Sequence, residues 1–171
     1  MQEYVTHAIV LNKEPLRDQD GRYSLFTERF GKVIGKATSS RKITSKLAPH
    51  LEPGTLARVR FIEQKGTQIV DALKVDRLPH SYLDLRFLSA LLPEGQPEEN
   101  LWELLAKQPF SWVDALQILG WDPSDAVCMG CGAAAISHFY IPRQEFFCSR
   151  CASKLRKDAI ILVVNPSSHD L

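Results

Sequence analysis

The stretch YSLFTERFGKVIGKATSSRKITSKLAPHLEPG, Tyr23 to Gly54, decides the fold of this chain. Its first half reads as two short strands, YSLFTERF and KVIGKAT, hinged at Phe30-Gly31. Its second half has room for a single helical turn but no more, because Pro49 and Pro53 interrupt any longer helix. Upstream, Val5, His7, Ile9 and Leu11 alternate with Thr6, Ala8 and Val10, as expected of a strand with at least one buried face. Downstream, TLARVRFIEQ and QIVDALKVD flank Lys65-Gly66-Thr67, a link suited to a hairpin, with Ile69, Asp71, Leu73 and Val75 on one face of the last strand. Five strands with an irregular insert after the third close most naturally as a small barrel, which removes exposed edges. The version expected here is an OB-like barrel over residues 1–79.

After Pro79 the period changes. Leu85, Leu88 and Leu92 form a helical stripe that Ser81 caps. Pro97-Glu98-Glu99 starts a second helix carrying Leu101, Leu104 and Leu105, and Ser111 to Asp114 opens a third that ends at Gly120. The fold class expected is therefore a β barrel plus α: an N-terminal OB-fold followed by a small helical domain over residues 80–171.

That second domain contains Cys128-x-x-Cys131 and Cys148-x-x-Cys151, with sixteen residues between the pairs. Two residues between cysteines let a turn aim two thiolates at one ion, and sixteen leave room for a hairpin that returns the second pair. The expected cofactor is a structural Zn2+ held by segment 126–152, since four thiolates leave no position for water. Unrelated free thiols and disulfides are the competing readings; a cytoplasmic location, inferred from the absence of a signal-like N-terminus, disfavours the latter. His138 reads as a hairpin residue, and the His-x-Glu of a zinc deaminase is missing.

The charge is unevenly spread. Residues 1–80 carry 14 Lys/Arg against 9 Asp/Glu, residues 81–127 carry 2 against 8, and residues 128–171 carry 5 against 3. An anionic partner met at the N-terminal end is the natural implication. Lys32, Lys36, Arg41, Lys42 and Lys46 fall within Phe30–Lys46 without one carboxylate, and Arg29 adjoins them. They are interleaved with Ser, Thr and Gly, which hydrogen-bond phosphate oxygens. Tyr23, Phe26 and Phe30 are candidates for base stacking, although rings on such strands more often fill the barrel. Four cations on a single strand predict a slope of log K against log salt of roughly −3. The competing reading is a zinc-stabilised protein-interaction adaptor whose basic loop is incidental.

LFTERFGK (Leu25–Lys32), RKITSKL (Arg41–Leu47), LEPGT (Leu51–Thr55) and LQILGWDPSDAVCMGCG (Leu116–Gly132) together resemble the RecO family of bacterial recombination mediators. The resemblance implies an OB-fold, a zinc-carrying helical domain, and a non-enzymatic role in recombination repair. It also implies binding of single- and double-stranded DNA, strand annealing, and action with RecR to let RecA replace single-stranded-DNA-binding protein. On this resemblance Arg41, Lys42 and Lys46 match the family's cationic motif, and the four cysteines match its zinc ligands. Thr38-Ser39 stands where family members often have Lys-Gly, and the segment after Cys151 is shorter than theirs.

Overall fold

The computed structural model describes residues 2–106 and 109–163. They form two compact units, Met1–Trp102 and Glu103–Leu171. This division falls later than the 79/80 boundary expected from the change of period after Pro79, because the first helix packs on the first strand.

Unit one is built on five strands: β1 (Gln2–Pro15), β2 (Gly21–Thr27), β3 (Gly31–Ala37), β4 (Thr55–Glu63) and β5 (Thr67–Arg77). Their order is β1-β2-β3-β5-β4, and β4 returns to β1. Strand β1 is long enough to serve two neighbours: residues 2–9 pair with β4, and residues 8–15 pair with β2. A bulge between Val10 and Asn12 lets it bend between them. The inner face is Tyr4, Ala8 and Val10, packed with Leu25, Val59, Phe61 and Ile69.

The expected closure is incomplete. The β3–β5 seam is parallel and registered at one pair only, Lys36 opposite Gln68. Side chains fill the gap that hydrogen bonds leave. Ile69 crosses over Gly35, where an added Cβ would lie 2.8 Å from the isoleucine Cγ1. The result is the partly open barrel typical of OB-folds.

Helix α1 (Tyr82–Leu91) begins as the sequence predicts, with the Ser81 hydroxyl accepting from the Asp84 amide. It buries Leu85, Phe87, Leu88 and Leu91. Three polar contacts fix it to the barrel: Tyr82 to Asn12 on β1, Ser89 to Ser24 on β2, and Lys32 on β3 to the Ser89 carbonyl. Ile9, Phe26 and Lys32 face one another across these strands, so this row lies beneath the helical segment. The next helix, α2 (Glu99–Ala106), buries Leu101 and Leu105.

Unit two is not purely helical, contrary to the expectation. After α3 (Trp112–Ile118), strands β6 (His138–Tyr140), β7 (Glu145–Phe147) and β8 (Ile160–Leu162) form a sheet in the order β7-β6-β8, with a one-turn α4 (Ser149–Ala152) before β8. On the sheet Phe139 meets Trp121 in a tilted contact and Phe146 edge-on, with ring centroids 5.4 and 5.0 Å apart. The apolar run Ala159–Val164 supplies β8, and Val164 lies outside the described residues. Among the described residues no helix is long and apolar enough to cross a membrane.

Candidate nucleic-acid interface and metal centre

The six cations singled out from the sequence do not form one patch. Arg41, Lys42 and Lys46 are exposed on the insert between β3 and β4. Their loop is pinned at its base, where the Arg41 amide donates to the Gln19 carbonyl and the Arg41 guanidinium to the Leu16 carbonyl. Lys36 projects from the end of β3 nearest this loop and pairs with Asp20 at 2.7 Å. The Asp20 carboxylate also accepts from the Ser39 amide at 2.7 Å. Lys36 chiefly, helped by that amide and by the charge on Lys42, holds the Asp20 carboxyl below its usual range against the opposing effect of burial. Lys36 is thus partly neutralised by a carboxylate of the barrel itself.

Lys32 has a different role. Its ammonium donates to the Ser89 carbonyl at 3.0 Å. In a continuing helix that carbonyl would accept from residue 93, but Pro93 has no N–H. Lys32 supplies the missing donor at the C-terminal end of α1, where a positive charge also complements the helix dipole. Burial lowers its pKa, and Glu94 opposes the shift. Lys32, expected as a phosphate contact, is in this structure engaged at the C-terminal end of α1. Arg29 sits on the β2–β3 turn, at the opposite end of those strands from Arg41, with its guanidinium 5.4 Å from the Phe30 ring centroid.

The aromatics lie in the interior. Tyr23 and Phe26 are buried, and Phe30 packs with Tyr4 and Phe61. No stacking platform comes from these three. The outer face of β2–β3 is covered at Ser24, Phe26 and Lys32 by the segment after the barrel. What stays open is the end carrying Arg22 and Lys36, which pair in register and are both exposed.

Two clefts flank that end. One, of about 370 Å³, is lined by Lys13, Ser40, Arg41 and Lys42, with Glu14 and Glu52 also on its wall. Lys13 is taken up by Glu52 at 2.6 Å. The other, of about 420 Å³, follows the open seam past Lys36, Thr38, Lys65 and Gln68. Thr38 and Gln68 join across the seam at 3.4 Å. Arg22 and Lys65 are additions that sequence reasoning missed. Register could have found Arg22, and Lys65 was hidden in a turn that read only as a hairpin link.

The cysteines, by contrast, converge as their spacing predicts. Their four sulfur atoms lie within 4.8 Å of one another. Cys131 and Cys148 Sγ are 3.8 Å apart, which matches the edge of about 3.8 Å of a tetrahedron with zinc–sulfur bonds of about 2.3 Å. The first pair sits on a knuckle in which the Cys131 and Gly132 amides both donate to the Cys128 carbonyl. The β6–β7 hairpin brings the second pair back, and Cys148 leads into α4. Backbone donors, with the Cys148 amide foremost, draw the Cys128 thiol down to about 6. Side-chain hydrogen bonds with Cys148, Cys131 and Cys128 push the Cys151 thiol up to about 12. His138 is outside the cluster, its Nδ1 2.7 Å from the Ser137 hydroxyl.

Residues 1–76 match the family model described as Recombination protein O N terminal. Among curated proteins, the chain is 28% identical over 176 residues to the DNA repair protein RecO of Thermodesulfovibrio yellowstonii, covering 88% of this chain and 70% of that protein. The protein of the same name from Geobacter metallireducens is 27% identical over 77% of this chain and 64% of its own length. That of Syntrophobacter fumaroxidans is 31% identical over 58% and 44% respectively. The chain thus spans between 44% and 70% of the length of these relatives.

Proposed function

We propose that this chain, a RecO-family DNA repair protein, grips single- and double-stranded DNA through phosphate contacts from Arg41, Lys42 and Lys46. Lys36, Arg22 and Lys65 extend the contact along the open seam, and Arg29 makes a separate contact at the far end of β2–β3. The observation that carries this reading is the exposure of three cations on a loop anchored beside the β3–β5 opening of an OB barrel. Such a surface neutralises backbone charge without reading bases, so binding is largely indifferent to sequence.

Binding both strands of a pair in this way serves annealing of complementary strands. With RecR, the same grip serves the loading of RecA onto DNA coated by single-stranded-DNA-binding protein. The four cysteines hold a structural Zn2+ that ties the knuckle to the β6–β7 hairpin. The role is that of a cytoplasmic mediator, not a catalyst.

The test is fluorescence anisotropy of a labelled oligonucleotide, single-stranded and then duplex, across a NaCl series. The three cations of the insert contribute about −2 to the single-strand slope of log K against log salt. Replacing Arg41, Lys42 and Lys46 by Ala makes the slope shallower by about that amount and leaves the circular dichroism spectrum intact. Undiminished affinity in the folded triple variant overturns the reading.

A further inference from the structure

Ile43 stands in the middle of the cationic insert, between Lys42 and Thr44, and is 106% exposed. Its side chain is as open to solvent as in an extended peptide. An aliphatic residue held in water forgoes the burial that stabilises Ile9 and Ile69 of the barrel. Nearby, Leu16 is 37% exposed and offers the carbonyl that anchors Arg41. The insert therefore presents an apolar tip bracketed by Arg41, Lys42 and Lys46.

We propose that Ile43 is a wedge that enters between adjacent bases of bound DNA while the flanking cations hold the phosphates on either side. This rests on the DNA-binding reading above and adds what that reading lacks, a contact with the bases. The occupant follows from charge. The tip's neighbours are cations, so the apolar surface that covers Ile43 must belong to a polyanion. In nucleic acid, the faces of stacked bases are the apolar surface lying between phosphates. Tyr23, Phe26 and Phe30 are committed to the interior, so the insertion of an aliphatic side chain, known from architectural proteins, takes the place of aromatic stacking. Parting two bases costs less in a single strand than in a duplex, so the wedge favours unpaired or mismatched DNA.

The experiment uses the whole chain and a single-stranded oligonucleotide with 2-aminopurine at one internal position, a base that brightens when unstacked. Binding of the unaltered protein raises the fluorescence. Ile43→Ser loses that rise yet still binds by anisotropy with an unchanged salt slope, because no charge has been removed; Ile43→Leu keeps the rise. Brightening that survives in Ile43→Ser overturns the wedge, as does a shallower salt slope in that variant. A further arm adds vesicles of phosphatidylglycerol and phosphatidylcholine. Vesicle binding that depends on Ile43, with brightening of DNA that does not, assigns the tip to a lipid surface and overturns the proposal. Failure of the underlying reading looks different: the Arg41, Lys42 and Lys46 triple variant then binds as tightly as the parent.

Discussion

On the proposed reading, replacing Asp20 by asparagine should strengthen DNA binding, against the general expectation that altering a buried polar residue damages a site. The reason is the 2.7 Å pair between Asp20 and Lys36. Lys36 stands at the mouth of the open seam, and its charge is partly neutralised there. The side-chain amide in the Asp20→Asn protein keeps an oxygen for the Ser39 amide, which donates to Asp20 Oδ1 in the parent, but removes the negative charge. One more phosphate contact steepens the single-strand salt slope by about 0.7, so affinity at 0.1 M salt rises about fivefold and the gain vanishes toward 1 M. Anisotropy titrations of parent and Asp20→Asn at three or more salt concentrations measure this directly. A folded Asp20→Asn protein with unchanged or weaker affinity at low salt removes Lys36 and the seam from the binding path. Linkage gives an independent check. The folded-state pKa of Asp20 is depressed below its ordinary value of 3.8. Its contribution to stability is therefore present above that value and lost as pH falls through the folded pKa. The stability difference between parent and Asp20→Asn should narrow over the same acid range.

Three further outcomes follow from the packing. Gly31→Ala combines a φ of +66° with a Cβ 2.0 Å from the Gln96 carbonyl oxygen. The left-handed conformation alone costs about 1–2 kcal/mol, and the clash adds to it, so thermal melting should drop by about 8 °C or more; a drop of less than about 2 °C contradicts the contact. Cys131→Ser should lower the bound metal from about one ion per chain to near none by elemental analysis. It should raise amide exchange in the β6–β7 hairpin while the barrel's exchange is unchanged. Equal metal content in parent and variant counts against the four-thiolate site. Lys32→Met should remove a pH dependence. Because burial lowers the folded pKa of Lys32, its unfolded form binds more protons just below pH 10.5, and parental stability gains with pH there relative to the variant. Parallel stability curves for the two proteins refute the buried cap.

Much of the barrel was readable because alternation and turn residues are local. The strand pair hinged at Phe30-Gly31 and the Lys65-Gly66-Thr67 hairpin appear where the sequence puts them. The face assignments were not readable, because they depend on bulges. On β5, Arg60 pairs with Asp71 and Phe61 with Ile69, so Val70 is the extra residue and the strand changes face there. Ile69 and Ala72 point inward, whereas Leu73 and Val75 are 60% and 56% exposed. On β1 the inward row is Tyr4, Ala8 and Val10; Val5 and His7 of the other row are exposed, yet Ile9 and Leu11 are fully buried. In unit two the cysteine spacing announced the β6–β7 hairpin, but β8 and the strand limits were not readable, because these strands have three residues each, too short for a period to register.

The two candidate sites differ in legibility for a physical reason. A metal site is specified by ligand type and spacing, both local, and the sixteen-residue interval between the cysteine pairs left few alternatives to a returning hairpin. A phosphate-binding surface is specified by which charges stay open to solvent after folding, and that is decided by residues far along the chain. Lys32 and Lys36 look equivalent in FGKVIGKAT, four residues apart on one face of one strand. Pro93, sixty-one residues beyond Lys32, leaves a helical carbonyl without its amide donor and draws Lys32 to it. Asp20, in the loop before β2, claims Lys36. The cations of the insert, which Pro49 and Pro53 keep from joining a helix or a long strand, stay exposed to solvent, as do Arg22 and Lys65. The interruption that made the insert look structurally unpromising is what leaves its charges free for an anionic partner.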